Sequence, residues 1–189
     1  FGSRLDSGKA VVIPFLRHWS INRLDKLVIS HGDADHIGGA QAIIDIYPEV
    51  EVIGQDIEPI VAKNKHACLR ADSWQWDGVD FEFLHPQDRA YSRRNNHACV
   101  LKVSTAASHL LITSDIEYEV ERQLIKTYAT ELQAQVLVVP HHGSKTSSSQ
   151  AFVDLVKPQI ALIPSGYRNR YHHPKPEVVE RYRDMGASI

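Results

Sequence analysis

At 189 residues the chain is long enough for a buried core, and 43% hydrophobic with 23% charged residues is a globular rather than a disordered composition. A formal net charge of −2 gives no general attraction to nucleic acid, and no apolar run approaches the roughly 20 residues a membrane helix needs. The opening Phe1-Gly-Ser-Arg4 has no basic region ahead of an apolar stretch, and Gly186-Ala-Ser-Ile189 falls where a helix hands over to another strand. The expectation is one domain, residues 1–189, cut from a longer protein.

In chain order, Leu27-Val28-Ile29 reads as a short buried strand ended by Ser30-His31-Gly32. Gly38-Gly39 opens a helix from Ala40 to Tyr47, stopped at Pro48, and Val50 to Ile53 is the next strand. Glu58 to Cys68 reads as helix. Ser73 to Leu84 alternates apolar and polar residues, as strands of a half-buried sheet do. A polar loop covers Gln87 to Asn96. Two adjacent strands follow, Ala98 to Val103 and Leu110 to Thr113, joined through Ala106-Ala-Ser108.

A helix from Glu117 to Tyr128 places Val120, Leu124 and Ile125 on one face. Val136 to Val139 is a buried strand ending at Pro140-His-His-Gly143. Then come a helix over Gln150–Val156, a strand over Ile160–Ile163, a loop, and a helix from Pro176 to Met185, with Pro176 suited to a first turn. Cys68 and Cys99 form no metal-type pair and no disulfide framework, and read as two small buried apolar residues. Trp74 and Trp76, two apart on one strand face, read as packing residues.

Polar residues of metal-binding type recur where a buried strand ends. His31 follows the first strand, Asp115 follows Leu110–Thr113, His141 follows Val136–Val139, and Arg168 to His173 follow Ile160–Ile163. Strand ends along one edge of a layered sheet make a common rim, and rims are where sites are built. His31-Gly-Asp33-Ala-Asp35-His36 is the densest case. Four potential ligands in six residues cannot share one face of a helix or strand, whereas a loop can fold them around two ions. The alternative is a surface loop of Asp and Gly with two incidental histidines. His18, His66, His85 and His109 have no such spacing and read as surface or satisfied core residues.

The motif resembles the metallo-β-lactamase superfamily, whose signature is His-x-His-x-Asp-His after a buried strand; here Asp33 stands in the second His place. This variant, in Ser30-His-Gly-Asp-Ala-Asp-His-Ile-Gly-Gly39, is similar to the C-terminal domain of the ComEC family of competence DNA-uptake channels. The similarity continues in Leu111-Ile-Thr-Ser-Asp115-Ile-Glu117, Val139-Pro-His-His-Gly-Ser144 and Asn169-Arg-Tyr-His-His-Pro174, in the expected order. The resemblance implies an α/β (α+β) four-layer αββα sandwich, missing outer strands at both chain ends. It implies that His31 and Asp33 hold one metal, that Asp35 and His36 hold the other, and that Asp115 bridges them. Asp35, His36 and Asp115 are then the catalytic group. One of His141 and His142 completes the shell of the second ion; His141, directly after Pro140, is preferred.

Two departures stand out. The superfamily places another His before the bridging Asp, where this chain has Asn95-Asn96-His97; His97 could fill that role, whereas the ComEC resemblance implies a polar, non-ligand position. The early Asp-x-Gly element is absent, with only a tail resembling Phe1 to Gly8.

Implied by the same resemblance is hydrolysis of DNA by a metal-activated hydroxide, degrading the strand that is not imported. Asp33 makes the site oxygen-rich, which favours Mn2+, with Zn2+ second. No organic cofactor is implied. Ser144 and Lys145, with Thr146 and Ser147, follow the paired histidines and are candidate phosphate donors. Arg168 and Arg170 approach from the next strand end, and His173 lines the pocket. The implied partner is DNA, single-stranded, and the parent an inner (plasma) membrane protein carrying this domain, itself soluble, on the extracytoplasmic side. Two other readings stay open: a metallo-hydrolase of another ester, such as phosphorylcholine or a lactone, and a non-catalytic domain that binds DNA or a partner.

Overall fold

The short apolar runs assemble into two sheets. The computed structural model describes residues 6–87, 91 and 93–189. The Phe1–Leu5 stretch and part of the polar loop expected over Gln87–Asn96 (residues 88–90 and 92) therefore lie outside the described residues. Internal contacts divide the chain after Cys68 into two units.

In the first unit, a π turn over Gly8–Val12 leads into α1 (Ile13–His18). Three strands, β1 (Lys26–Ile29), β2 (Glu51–Gly54) and β3 (Asn64–Ala67), pair in parallel in that order, Lys26 opposite Glu51 and Glu51 opposite Asn64. Parallel neighbours need a crossover. The first is supplied by α2 (Ala34–Ile37) and α3 (Ala40–Ile46), the latter beginning after Gly39 as the sequence suggests. Ile43 and Ile44 of α3, Ile29 of β1, Val52 of β2 and Ile13 and Leu16 of α1 are all buried in one cluster. Each such side chain contributes about 1.5–3 kcal/mol of transfer free energy. Gly39 is required where it stands: a Cβ there would lie 2.3 Å from the backbone nitrogen of Gly8.

The helix expected over Glu58–Cys68 is not formed. Ile60 N–H donates to Ile57 O at 3.0 Å in a turn, the Lys65 ammonium donates to the carbonyls of Ile57, Glu58 and Ile60 (3.3, 3.1 and 2.6 Å), and β3 follows. All four β3 residues are exposed, so no apolar period marked the strand. The unmet backbone groups along the edge of β2 decided its conformation.

The second unit holds a six-stranded sheet in sequence order: β4 (Ser73–Trp76), β5 (Val79–His85), β6 (Val100–Ser104), β7 (His109–Ile112), β8 (Val136–Val138) and β9 (Ile160–Leu162). Pairing is antiparallel through β7 and parallel from β7 to β9. The alternating run at Ser73–Leu84 is two strands, closed by a two-residue Asp77-Gly78 turn with φ of 48° and 80° and Trp76 opposite Val79. Trp74 stacks on Phe81 at 4.9 Å, the packing role expected of it.

Three helices serve this sheet: α4 (Tyr118–Tyr128), α5 (Gln150–Val156) and α6 (Pro176–Asp184). Val120 and Leu124 of α4, Phe152, Val153 and Val156 of α5, and Val178 and Tyr182 of α6 share a buried cluster with Leu111, Leu137 and Ala161 of the strands. After α6 the chain does return to the sheet, with Ser188 bridging Ile160 in parallel. His85 is a satisfied core histidine, its Nε2 2.8 Å from Asn96 O.

Glu121 is fully buried on α4. Its carboxylate accepts the N–H groups of Ser148 and Ser149, the latter at 2.8 Å, while Arg181 donates to Ser148 O at 2.7 Å and Tyr182 Oη–H to Ser148 Oγ at 2.9 Å. Desolvation outweighs these donors and raises the Glu121 pKa above its ordinary 4.5.

Both cysteines are buried, as expected, but neither is a thiol: Cys68 and Cys99 are disulfide-bonded. Distant cysteines carry no pairing signal in sequence, so the apolar reading needs this correction. Reduction is expected to lower stability by about 2–4 kcal/mol, seen as a lower midpoint in thermal melts with reductant than without. Because the folded state holds the Glu121 proton more tightly than the unfolded chain does, its contribution is fully present below about 4.5 and is lost as pH rises through the raised native value. Denaturant titrations across that window should show the slope in the parent chain and its loss in Glu121→Gln.

Candidate metal centre

Four of the candidate residues lie in the first unit. β1 delivers its last apolar residue, Ile29, to the core, and the chain then turns through Ser30 and His31 into α2. His31 is fully buried and His36 half-buried, their rings 4.2 Å apart. The Ser30 hydroxyl lies 3.2 Å from His31 Nδ1 and 3.1 Å from His36 Nδ1. A hydroxyl has one proton, so it can donate to only one of these nitrogens. At least one imidazole therefore carries its proton on Nδ1 and holds a lone pair on Nε2. A carboxylate lies near each Nε2: Asp33 Oδ2 at 3.7 Å from His31 and Asp35 Oδ2 at 3.8 Å from His36. Asp33 occupies the N-cap position of α2 without making a side-chain cap bond.

The second unit carries the other candidates. After β7 the backbone turns through Ser114, at φ 50°, to Asp115, which is 5% exposed. After β8 it enters the Pro140–Gly143 turn, where His141, His142 and Gly143 have φ of 48°, 54° and 77°. Left-handed backbone costs a non-glycine residue about 1–2 kcal/mol. The cost is met by packing: His141 N–H donates to Ser114 O at 2.9 Å, and Thr113 Oγ1 to Val138 O at 2.6 Å.

The two histidines of this turn differ. His142 Nδ1 lies 2.7 Å from Pro164 O, which can only accept, so the proton sits on Nδ1. In the neutral ring Nε2 then presents its lone pair to Asp115 Oδ2 at 3.3 Å. His141 has both ring nitrogens engaged: the Asn95 amide donates to Nε2 at 3.3 Å, and Nδ1 lies 3.2 Å from Thr146 Oγ1 and 3.6 Å from Glu117 Oε1.

Around this pair, His173 lies with its ring 5.9 Å from that of His141. Burial, then the neighbouring His141 and Lys175, push its pKa below the ordinary histidine value. Asn169 holds the His173 loop, with Oδ1 accepting His173 N–H at 2.9 Å and Nδ2 donating to His173 O at 2.6 Å. His97 is turned elsewhere, against Tyr91, with Nε2 3.4 Å from its carbonyl. Ser144 is buried, and its hydroxyl is engaged with Thr146 Oγ1 at 3.1 Å. Lys145 is exposed. Arg168 and Arg170 are exposed, each guanidinium lying over its own aromatic neighbour, Tyr167 or Tyr171. Sequence reasoning missed the roles of Ser30, Asn95 and the Pro164 carbonyl in holding the rings, and gave Thr146 only as a phosphate donor. Only the adjacency of Ser30 to His31 could have flagged one of them.

A model of the metallo-beta-lactamase superfamily matches residues 2–167. The chain belongs to that superfamily. Among curated relatives of this metallo-β-lactamase domain, it is 42% identical over 178 residues to "Competence protein ComA" of Neisseria gonorrhoeae, covering 94% of this chain and 25% of that protein. It is 35% identical over 178 residues to "Recombination protein 2" of Haemophilus influenzae, covering 94% and 22%. The chain thus spans about a quarter of the length of these relatives. Among solved structures, the metallo-beta-lactamase fold protein YhfI of Bacillus subtilis superposes with a TM-score of 0.55 at 12% identity, over 93% of this chain and 78% of that one. The mixed α/β fold expected from the sequence is the metallo-β-lactamase fold.

That fold implies divalent metal ions, and the residues present fit them. Donors about 2.1 Å from one ion stand about 3.0–3.5 Å apart, close to the imidazole-to-carboxylate separations of 3.3, 3.7 and 3.8 Å. A lone pair aimed at a carboxylate is repulsive until a cation lies between them. Gly143 supports the turn, since an added Cβ would lie 2.6 Å from Pro174 Cβ and would be held at a φ of 77°. Gly143→Ala should cost about 1–3 kcal/mol in denaturant unfolding; an unchanged midpoint would show the turn to be unstrained.

Proposed function

We propose that the chain is a metal-dependent hydrolase domain that holds two divalent cations and cleaves DNA phosphodiester bonds. His31 and Asp33 would hold one ion, Asp35 and His36 the other, with Asp115 shared between them and His142 completing the second set. His142 replaces His141 as the preferred ligand. The arrangement of His142, with Nδ1–H committed to Pro164 O and Nε2 facing Asp115, carries this reading. Asp35, His36 and Asp115 form the catalytic group.

When bound, the cations supply Lewis acidity and lower the pKa of water at the scissile phosphate. The chain's own residues do the positioning. Ser30 orients the His31 and His36 rings from behind and the Pro164 carbonyl orients His142, a type of support that sets ligand direction and basicity. His141, fixed by Asn95 and Thr146, and His173, kept neutral by its surroundings, face the substrate. Ser144, Lys145, Arg168 and Arg170 supply further phosphate donors. Three aspartates among the ligands make an oxygen-rich set and favour Mn2+ over Zn2+.

DNA is the favoured substrate because the relatives named above are a competence protein and a recombination protein. Single-stranded DNA, the strand not imported during uptake, is the form proposed. The oxidised Cys68 and Cys99 support an extracytoplasmic location, since such bonds persist in oxidising compartments. The quarter-length match supports a longer parent, which we place in the membrane with this domain outside. Among the described residues no helix is long and apolar enough to cross a membrane.

Purified chain incubated with single-stranded DNA and Mn2+ should cleave it, and Asp35→Ala should lower the rate at least about a hundredfold. Cleavage unchanged by Asp35→Ala would sink the assignment. Metal analysis should give two ions per chain, with His142→Ala losing metal and His141→Ala retaining it. The reverse order would return the ligand role to His141.

A further inference from the structure

Beside Glu117, in the second unit, lies a groove of about 400 Å3 whose walls include Arg93, Tyr118, Arg122 and Lys145. A second hollow of about 430 Å3 shares Tyr118 and Arg122 with the first and continues past Ile125 to Arg181. Tyr118, Arg122 and Ile125 are spaced by four and three along α4, so one face of that helix forms a common wall. The two hollows therefore read as one track. Its first end reaches His141, whose Nδ1 is 3.6 Å from Glu117 Oε1.

Charge along the track is asymmetric. Four cations, Arg93, Arg122, Lys145 and Arg181, face two carboxylates, Glu117 and Glu119. Both acids are engaged: Glu117 accepts from Arg93 at 2.6 Å, and Glu119 from the Asn96 amide at 3.1 Å. Among the described residues, Arg122 and Lys145 have no side-chain hydrogen bond or ion pair, and both are exposed. Arg181 is pre-set by its bond to Ser148 O. Tyr118 is half-buried and held at the middle of the track by its hydroxyl, which donates to Lys145 O at 2.6 Å. Unsatisfied cations along a groove, interrupted by a fixed aromatic ring, match a single strand with its phosphates spaced along the chain and its bases unstacked. A duplex would leave the ring without a base to meet.

We propose that this track, from Arg93 past Tyr118 and Arg122 to Arg181, binds single-stranded DNA and leads it to the candidate metal centre. The inference rests on the nuclease reading above and adds residues that the sequence did not single out. Phosphate contacts set a salt dependence, and stacking does not, so the two kinds of contact separate experimentally.

Binding of a fluorescent single-stranded oligonucleotide to the whole chain is measured in EDTA over a salt series, alongside Mn2+-dependent turnover of the small diester bis(p-nitrophenyl) phosphate. Arg122→Glu should weaken oligonucleotide binding at least about tenfold at low salt and reduce the salt slope by about one. Tyr118→Leu should weaken binding about fivefold or more with the slope unchanged. In both variants diester turnover should stay within about threefold of the parent, because the small substrate does not reach the track. Binding and slope unchanged in Arg122→Glu, with diester turnover intact, would overturn the track alone. Loss of diester turnover in step with DNA binding would assign these residues to folding or to the centre instead. Equal binding of duplex DNA, weakened equally by the variants, would overturn the single-strand assignment. A parent chain that neither binds DNA nor turns over the diester would remove the nuclease reading and the track together.

Discussion

The direction of an imidazole lone pair governs the site, and it is set from behind. Where Nδ1 of His142 donates to a carbonyl, the neutral ring faces Asp115 with the lone pair of Nε2. Where one Ser30 hydroxyl serves two Nδ1 atoms, a similar constraint passes to His31 and His36. Burial makes these choices firm, because His31 and Asp115 have little water with which to compensate. A divalent cation between them satisfies an imidazole lone pair and a carboxylate at once. The proposed ligand directions therefore rest on groups that would not themselves touch a metal.

Placing such residues takes unusual backbone. Left-handed φ values at Ser114, His141 and His142 turn the chain sharply at the ends of β7 and β8. Local strain of this kind persists only where surrounding structure holds it. Here the holding structure is the parallel part of the six-stranded sheet and a hydrogen bond from His141 to Ser114, with Gly143 leaving room for Pro174.

Much of this was legible in sequence because it followed from backbone period and ligand density. The strands before His31, Asp115 and His141, the helix over Gln150–Val156 and the helix after Gly39 all stand close to where apolar spacing put them. Within the first unit His31 Nε2 lies 3.7 Å from Asp33 and His36 Nε2 3.8 Å from Asp35. What was not legible depended on partners far along the chain. β3 has exposed side chains, so only its pairing with β2 makes it a strand. The oxidised state of Cys68 and Cys99 leaves no trace in spacing. The difference between His141 and His142, identical neighbours in sequence, arises from Asn95 on one side and Pro164 on the other. Tyr118 and Arg122 carried no signal in sequence, because the groove they line depends on Arg93 and Lys145 from distant loops.

The sheet of the second unit changes from antiparallel to parallel pairing at β7, so β7, β8 and β9 all run the same way. Their exits carry Asp115, the paired histidines and Pro164, and their entrances carry the Thr105–Ser108 turn and the short stretches 133–135 and 157–159. The sheet therefore has a working edge and an idle edge. Residues inserted, trimmed or tagged at the idle edge should leave the anchorage of Asp115, His141 and His142 untouched, while a single-residue slip at the other should re-aim a ring. Evolutionary drift in length should accumulate on one side only, and any handle for attachment or labelling belongs there.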